Sequence, residues 1–414
     1  MSNKEIDILN GLKERGFVEQ ITDEKLVREQ MQRPTTVYIG FDPTAGSLHV
    51  GNLVPVMSLA HIQRAGHRPI AVIGGGTTLV GDPSGKTEMR PIMLREEIDK
   101  NAEGIKKQLG RFLDFNQDRA LMVNNADWLT RLNYIDFLRE FGRHFSVNRM
   151  LAAESYKIRF QTGLNFIEFN YMLLQAYDFW YLFKHYDCRI QMGGNDQWGN
   201  ILAGTELIRR MEGANAHAIT FPLITTSDGI KMGKTHKGAV WLDPAWTSPY
   251  DYYQYWINQD DRDVERFLSL FTFLAMDEIR RLGALKGEAI NQAKEILAYE
   301  ATKICHGEEE ALQARKSARQ LFGSAETGAA TDLPSFRIAL QELTQGIPAY
   351  ILFEKAGLCK TRSDARRLIA QGGGYVNSER IEAMDRPITR NDLKKGAILL
   401  RAGKKRYLQI ILGA

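Results

Sequence analysis

Two segments far apart in the chain carry residue types suited to phosphate chemistry. The first is Tyr38-Ile39-Gly40-Phe41-Asp42-Pro43-Thr44-Ala45-Gly46-Ser47-Leu48-His49-Val50-Gly51-Asn52. A strand that ends near Phe41 is followed by a turn, and Ser47 is placed to cap a helix whose first turn holds His49. Backbone N–H groups and the positive end of the helix dipole favour phosphate there, and an imidazole can donate to a phosphate oxygen. Gly51 lets a nucleotide approach the backbone closely. The second segment is Asp228-Gly229-Ile230-Lys231-Met232-Gly233-Lys234-Thr235. Lys231 and Lys234 on such a loop can close on a triphosphate and balance charge as pyrophosphate leaves. Taken singly, a histidine near a helix start is more often a packing or surface residue, and a basic turn is more often merely solvated; the context and the pairing carry the nucleotide reading.

A third constellation concerns the other reactant. In Asn170-Tyr171-Met172-Leu173-Leu174-Gln175-Ala176-Tyr177-Asp178-Phe179-Trp180, the residues Tyr171, Gln175 and Asp178 share one face of a helix that is otherwise apolar. Such a stripe is either the solvent face of an amphipathic helix or the wall of a polar pocket, and the apolar neighbours favour the pocket. Two competing phosphate motifs fail on spacing. Gly81-Asp82-Pro83-Ser84-Gly85-Lys86-Thr87 has three residues between its glycines where a P-loop needs four, and Gly74-Gly75-Gly76 is no dinucleotide fingerprint.

The elements that must position these groups follow from periodicity. Thr36 to Phe41 and Pro69 to Ile73 read as strands around a helical Leu48 to Ala65, a βαβ unit. Further strands near Met122 to Val123 and Cys188 to Met192, separated by helical stretches, extend this to a doubly wound parallel sheet with its ligand site at the carboxyl ends of the strands. The organisation expected is a catalytic domain over 1–225 with a helical insertion near 128–185 suited to a subunit interface. A loop and helical domain over 226–323, a linker over 324–346 and a small domain over 347–414 follow. From Pro348 to Ala414, 14 lysines and arginines face 6 acidic residues, whereas the whole chain carries only +4, so a basic C-terminal module suggests nucleic acid. The three cysteines are scattered and lack metal-site spacing, so no protein-ligated metal is expected. With no apolar run of signal or membrane-span length, the expected location is the cytoplasm, with no membrane partner.

Taken in order, His49-Val50-Gly51-Asn52 and Lys231-Met232-Gly233-Lys234-Thr235 resemble the HIGH and KMSKS signatures of class I aminoacyl-tRNA synthetases. Tyr38, the Gly81–Lys86 block, the Tyr171/Gln175/Asp178 stripe and Gly193-Gly194-Asn195-Asp196-Gln197-Trp198-Gly199-Asn200 resemble the bacterial tyrosyl branch of that family. The stretch Leu352 to Asn377 looks like a small S-four RNA-binding domain.

The resemblance implies an α/β, Rossmann-like doubly wound parallel sheet with a helical domain and a small α+β RNA-binding domain. It implies a homodimer that joins L-tyrosine to tRNA(Tyr), with ATP and its Mg2+ as substrate. Tyr38 and Asp178 would meet the substrate phenol, Tyr171, Asp82 and Gln175 its ammonium, and Gln197 its carboxylate, with Asn124 a further member of that pocket. Asp196 would hold the ATP ribose; Gly40, Asp42, Gly51 and Asn52 would line the nucleotide site. Thr44, His49, Lys231, Lys234 and Thr235 would meet the phosphates, aided by Lys86 and Arg90 on a basic loop. Arg362, Arg366 and Arg367 would contact RNA. Asn52 stands where HIGH has its second histidine, and Gly233 and Thr235 stand where KMSKS has serines. The rival readings are a tryptophanyl-type synthetase, a synthetase-like RNA-binding protein without activity, and a nucleotidyltransferase; the last would not need the Tyr-Gln-Asp stripe.

Overall fold

The computed structural model describes residues 7–229, 232–235, 238–323, 335–377, 379–394, 396–403 and 406–412, with the backbone alone described at 154, 158, 234, 235 and 320–323. Strands β1 (Gln20–Ile21), β2 (Thr36–Phe41), β3 (Arg68–Ile73), β4 (Leu121–Asn124), β5 (Cys188–Gly194) and β6 (His217–Phe221) form one sheet in the order β1-β6-β5-β2-β3-β4. β2 to β6 run parallel, and β1 closes the edge antiparallel to β6. The central strands are apolar on both faces because helices cover both sides of a parallel sheet. From β2 the chain winds outward through β3 and β4, then returns to the other side of β2 for β5 and β6. The carboxyl ends of β2 and β5 thus flank the point where the strand order reverses, the place where such sheets leave a crevice.

Helix Leu53–Arg64 links β2 to β3 and buries most of its residues; it begins five residues later than the helical Leu48 to Ala65 expected from the sequence. Helix Tyr171–Tyr186 leads into β5, and Trp198–Glu212 leads out of it. These two helices pack closely because Gly204 has no side chain: a Cβ there would lie 2.9 Å from the Phe179 ring. Between β4 and β5 the described elements are all helical.

Helices Pro249–Ile257, Val264–Phe271, Met276–Gly283 and Ile290–His306 follow. They belong to the same compact unit as the sheet, Met1–Ala311, and two arginines stitch them to it. The Arg15 guanidinium donates to the Ser269, Thr272 and Leu274 carbonyls at 3.0, 3.2 and 2.6 Å. Arg111 donates to those of Leu242 and Cys305 at 3.4 and 3.2 Å. The helical segment expected from residue 226 is therefore not a unit by itself.

The second unit, Leu312–Ala414, holds a five-stranded sheet covered by helices Ala349–Lys355 and Arg362–Ala370. Its core gathers Leu352, Phe353, Ile369, Val376, Ile398, Leu400 and Ile410. Ser335–Ile338, which the sequence places in a linker, is a strand of this sheet, parallel to Arg406–Leu412. A strand of this length has too little periodicity to stand out beside a small, polar stretch. Cys188, Cys305 and Cys359 are buried and form no disulfide. Among the described residues, no helix is long and apolar enough to cross a membrane.

Candidate functional site

The two phosphate-type segments come together at the carboxyl end of the sheet. Val50 N–H donates to the Val240 carbonyl at 2.9 Å and Leu242 N–H to the Leu48 carbonyl at 2.8 Å, so residues 48–50 run as a short antiparallel ribbon beside 240–242. This extended backbone delays the helix. His49 (φ −124°, ψ 171°) is itself the cap of a single tight turn, Val50–Asn52, before helix Leu53–Arg64 begins. Its Nδ1 accepts the Gly51 N–H at 3.0 Å while Asn52 Oδ1 accepts the His49 N–H at 3.0 Å. Asn52 therefore has a structural reason to stand at this position. Ser47, expected as the cap, instead donates to the Leu48 carbonyl and accepts from Asp243 N–H.

Gly51 is exposed, and a Cβ there would meet the His49 ring at 2.7 Å and the Met232 carbonyl at 2.9 Å. Gly233 (φ +83°) lies opposite: a Cβ on it would come 2.8 Å from the Gly51 nitrogen. The segments meet backbone to backbone. Lys231 lies outside the described residues, as do the side chains of Lys234 and Thr235; the backbone of Lys234–Thr235 pairs with Gly238–Ala239.

Beside this junction is a cavity of about 260 Å³. Its wall includes Tyr38, Gly40, Asp42, Thr44, Asn52, Asp82, Arg90, Tyr171, Gln175, Asp178 and Gln197, all singled out in the sequence. The Tyr171/Gln175/Asp178 stripe thus faces a cavity, not solvent. Gly40 keeps open space in front of β2, with nothing within 4 Å of where its Cβ would be.

Three carboxylates share the cavity. Asp178, buried at the far wall, accepts from Asn125 Nδ2 at 2.8 Å and from the Trp128 indole at 2.7 Å. Burial pushes its pKa up to about 7 despite these two donors. Burial likewise pushes Asp82 up to about 6, opposed by Ser84 N–H at 2.9 Å and helped by the charge of Asp42, with Gln197 Nε2 donating at 2.8 Å. Asp42 is also raised by burial, although Thr77 and Tyr171 hydroxyls donate to it at 2.8 and 2.9 Å. Arg90 lines the same wall, its Nε donating to the Asp82 carbonyl at 3.2 Å. Carboxylates held above their usual range by desolvation are matched by a cation or a strong donor.

Tyr38 Oη is buried with no hydrogen-bond partner in the structure, and burial with the nearby Asp178 charge keeps the phenol protonated. It is flanked across the strand pair by Gln191, whose Oε1 is also buried and unpartnered. Two orphaned polar atoms beside a carboxylate, all on one cavity wall, define a place for a small polar group at the end of an otherwise enclosed ligand.

Asn124 is not in this wall. Its Oδ1 accepts the Ala126 N–H at 3.0 Å, and its amide lies against Gly75; the next residue, Asn125, turns inward to Thr77 and Asp178. The strand ends at Asn124, and Asn125 already has helical dihedrals (φ −68°, ψ −12°) as it enters the next helix, so the two side chains leave the backbone in different directions. Nothing in the spacing singles out Trp128, Thr77 or Gln191. Asn200, which donates to Gln175, Ser84 and Gln197 at 3.1 to 3.2 Å, is legible only as part of the Gly193–Asn200 block. Asp196 sits in the turn after β5, facing Gly85, and Lys86 is exposed on the neighbouring loop.

In the second unit, Arg362, Arg366 and Arg367 are exposed on helix Arg362–Ala370. Arg366 stacks over the Tyr350 ring at 4.2 Å, Arg362 is 3.6 Å from Glu354, and Arg367 pairs with Asp364 at 2.6 Å.

Residues 29–323 match the family profile of class I tRNA synthetases (W and Y), and residues 326–410 match the tyrosine–tRNA ligase SYY-like C-terminal domain. The chain is 58% identical to a tyrosine–tRNA ligase of Syntrophus aciditrophicus, over 96% of this chain and 97% of that one. It is 56% identical to one of Desulfatibacillum aliphaticivorans, over 98% and 99%. Its fold superimposes on a C-terminally truncated mitochondrial tyrosyl-tRNA synthetase of Aspergillus nidulans with a TM-score of 0.69 and 30% identity, covering 77% of this chain and 95% of that one. With near full-length identity above half, and with a cavity that joins the first signature segment to the Tyr-Gln-Asp stripe, the chain belongs to the tyrosine–tRNA ligase family of class I tRNA synthetases.

Proposed function

We infer that the protein joins L-tyrosine to tRNA(Tyr) in two steps at the cavity below the His49–Gly233 junction. The observation that carries the substrate is the pairing of the orphaned Tyr38 hydroxyl with the Asp178 carboxylate at the closed end. A phenol O–H donates to Asp178 and accepts from Tyr38; phenylalanine would leave the Tyr38 hydroxyl without a partner and deny the buried Asp178 carboxylate a donor beyond Asn125 and Trp128. Each such buried group costs about 1 to 3 kcal/mol, more when charged. At the other end, Asp82, Tyr171 and Gln175 offer acceptors to the ammonium, and Gln197 offers its amide to the carboxylate.

In the first step the tyrosine carboxylate attacks the α-phosphorus of ATP, which enters with Mg2+ as substrate. The bond to the bridging oxygen breaks, and pyrophosphate leaves with the electron pair. The carboxylate is ionised at pH 7 and needs no base, so positioning and charge stabilisation supply the rate. Thr44, His49, Lys86, Arg90, Lys231, Lys234 and Thr235 are the groups suited to the phosphates, with Asp42, Gly51 and Asn52 shaping their site and Asp196 suited to the ribose. In the second step a ribose hydroxyl of the terminal adenosine of tRNA attacks the mixed anhydride, and AMP departs. Arg362, Arg366 and Arg367 of the basic C-terminal unit are suited to the RNA backbone.

We further propose that the protein works as a homodimer in the cytoplasm. Tyr134, Ile135, Val147, Phe160 and Phe166 of the helical insertion all expose more than half of their surface, and a concentration of large apolar groups of this kind fits a self-complementary interface. Sedimentation at micromolar concentration tests this: a monomer would overturn it.

The activity is tested by exchange of labelled pyrophosphate into ATP. Exchange is expected with tyrosine and not with phenylalanine or tryptophan. Equal exchange with either would overturn the substrate assignment, and no exchange with any amino acid would favour a synthetase-like protein without activity.

A further inference from the structure

Between Gly85 and Arg90 the chain carries both loop cations, Lys86 and Arg90, with Thr87 between them. The Thr87 carbonyl accepts two hydrogen bonds from another part of the fold: Arg159 Nη1 at 2.9 Å and Thr162 Oγ1 at 2.9 Å. Arg159 lies on helix Glu154–Thr162 and is almost fully buried, as is its partner Glu168. Its Nε and Nη2 donate to the two oxygens of Glu168 at 2.9 and 2.8 Å, Nη2 also donates to the Gly163 carbonyl at 2.8 Å, and Nη1 also donates to Thr162 Oγ1 at 2.9 Å. All five guanidinium N–H donors are used, in a fork that a lysine with three donors on a flexible stem cannot reproduce. Glu168 is in turn fixed by Asn165 N–H at 3.2 Å.

A buried pair serving only the helix would need no contact with the loop. We propose that Arg159, oriented by Glu168, is a positioning residue for adenylate formation: through the Thr87 carbonyl it holds the loop that places Arg90 on the cavity wall and carries the exposed Lys86, the two cations suited to the departing pyrophosphate. The inference rests on the role of those two cations proposed above. Arg159 touches neither substrate; it acts through the loop.

The test compares Arg159→Lys in the intact enzyme and in a Lys86→Ala/Arg90→Ala background, reading tyrosine affinity by fluorescence titration and pyrophosphate exchange at saturating tyrosine. In the intact enzyme, Arg159→Lys is expected to slow exchange on the order of 10- to 100-fold, since small displacements of positioned groups have effects of that size. Tyrosine affinity should stay within about twofold, as for an independent site. In the background lacking both cations, Arg159→Lys should add less than about twofold. Unchanged exchange in Arg159→Lys overturns the proposal, and so does an equal loss in both backgrounds, which would mark a purely structural role. Undiminished exchange in Lys86→Ala/Arg90→Ala overturns the reading of the cations and the inference with it, a result distinct from the other two. If Arg159→Lys folds poorly, Thr162→Val removes the second donor to the same carbonyl; a loss of about threefold that vanishes in the cation-free background supports the proposal, and no loss overturns it.

Discussion

The indole N–H of Trp128 donates to the Asp178 carboxylate at 2.7 Å, to the oxygen that the Asn125 amide leaves free. Both donors stabilise a charge that burial opposes. Trp128→Phe removes one of them and should raise the pKa of Asp178 above its present value of about 7. A hydrogen bond to a charged group contributes about 1.5 to 3 kcal/mol, so KM for tyrosine is expected to rise roughly 10- to 100-fold with KM for ATP unchanged. The rise should be larger at pH 6.5 than at pH 8. An unaltered tyrosine KM would show that Asn125 alone suffices.

A pH dependence follows from the same carboxylates. In the free protein Asp82 stands at about 6 and Asp178 at about 7, both raised by burial. Binding an ammonium beside one and a phenol donor beside the other favours their ionised forms and lowers both values in the complex. Tyrosine affinity is therefore full above pH 7 and falls as pH drops through 7 and then 6, by about tenfold per unit for each group once below its free value. Steady-state KM for tyrosine between pH 8 and 5.5 checks this; a flat profile would contradict it.

Gly51 leaves no room for a side chain between the His49 ring and the Met232 carbonyl. Gly51→Ala must part the two segments or turn the imidazole. Exchange should slow on the order of 10- to 100-fold, while the thermal midpoint stays close to that of the unaltered protein because the site is exposed. Wild-type exchange in Gly51→Ala would mean that the two segments separate before chemistry.

Replacing Arg362, Arg366 and Arg367 together by alanine should leave tyrosine-dependent exchange intact and weaken tRNA charging. KM for tRNA should rise on the order of tenfold, and the salt dependence of charging should flatten by about one for each phosphate that an arginine no longer neutralises. Normal charging in the triple variant would move the RNA-binding surface elsewhere on the basic unit.

Much of the architecture is readable from the sequence. Strand β2 is expected over Thr36 to Phe41 and lies there, because a strand buried on both faces must be apolar at nearly every step. The Tyr171/Gln175/Asp178 stripe is readable for the complementary reason: polar groups at helical spacing on an apolar helix need a polar neighbour, and the cavity supplies it. Expectation and structure part where the signal is too short. Ser335–Ile338 reads as linker because its hydrogen bonds go to a strand some seventy residues away, and no local pattern reports that pairing.

Composition, periodicity and ordered motifs are enough for the class of fold, the pairing of the two phosphate-type segments and most of the polar side chains of the cavity wall, since each depends on residue types and spacings that are local in the chain. Tertiary structure alone decides that His49 rather than Ser47 caps the turn, because the ribbon with Val240–Leu242 extends the backbone there. It alone decides that Asn125 and Trp128 hold Asp178 while Asn124, expected in the tyrosine pocket, turns to the Ala126 N–H, because the direction of a side chain depends on the local backbone. The same holds for Arg159 and Thr87, which are 72 positions apart and meet only when the insertion folds back onto the loop.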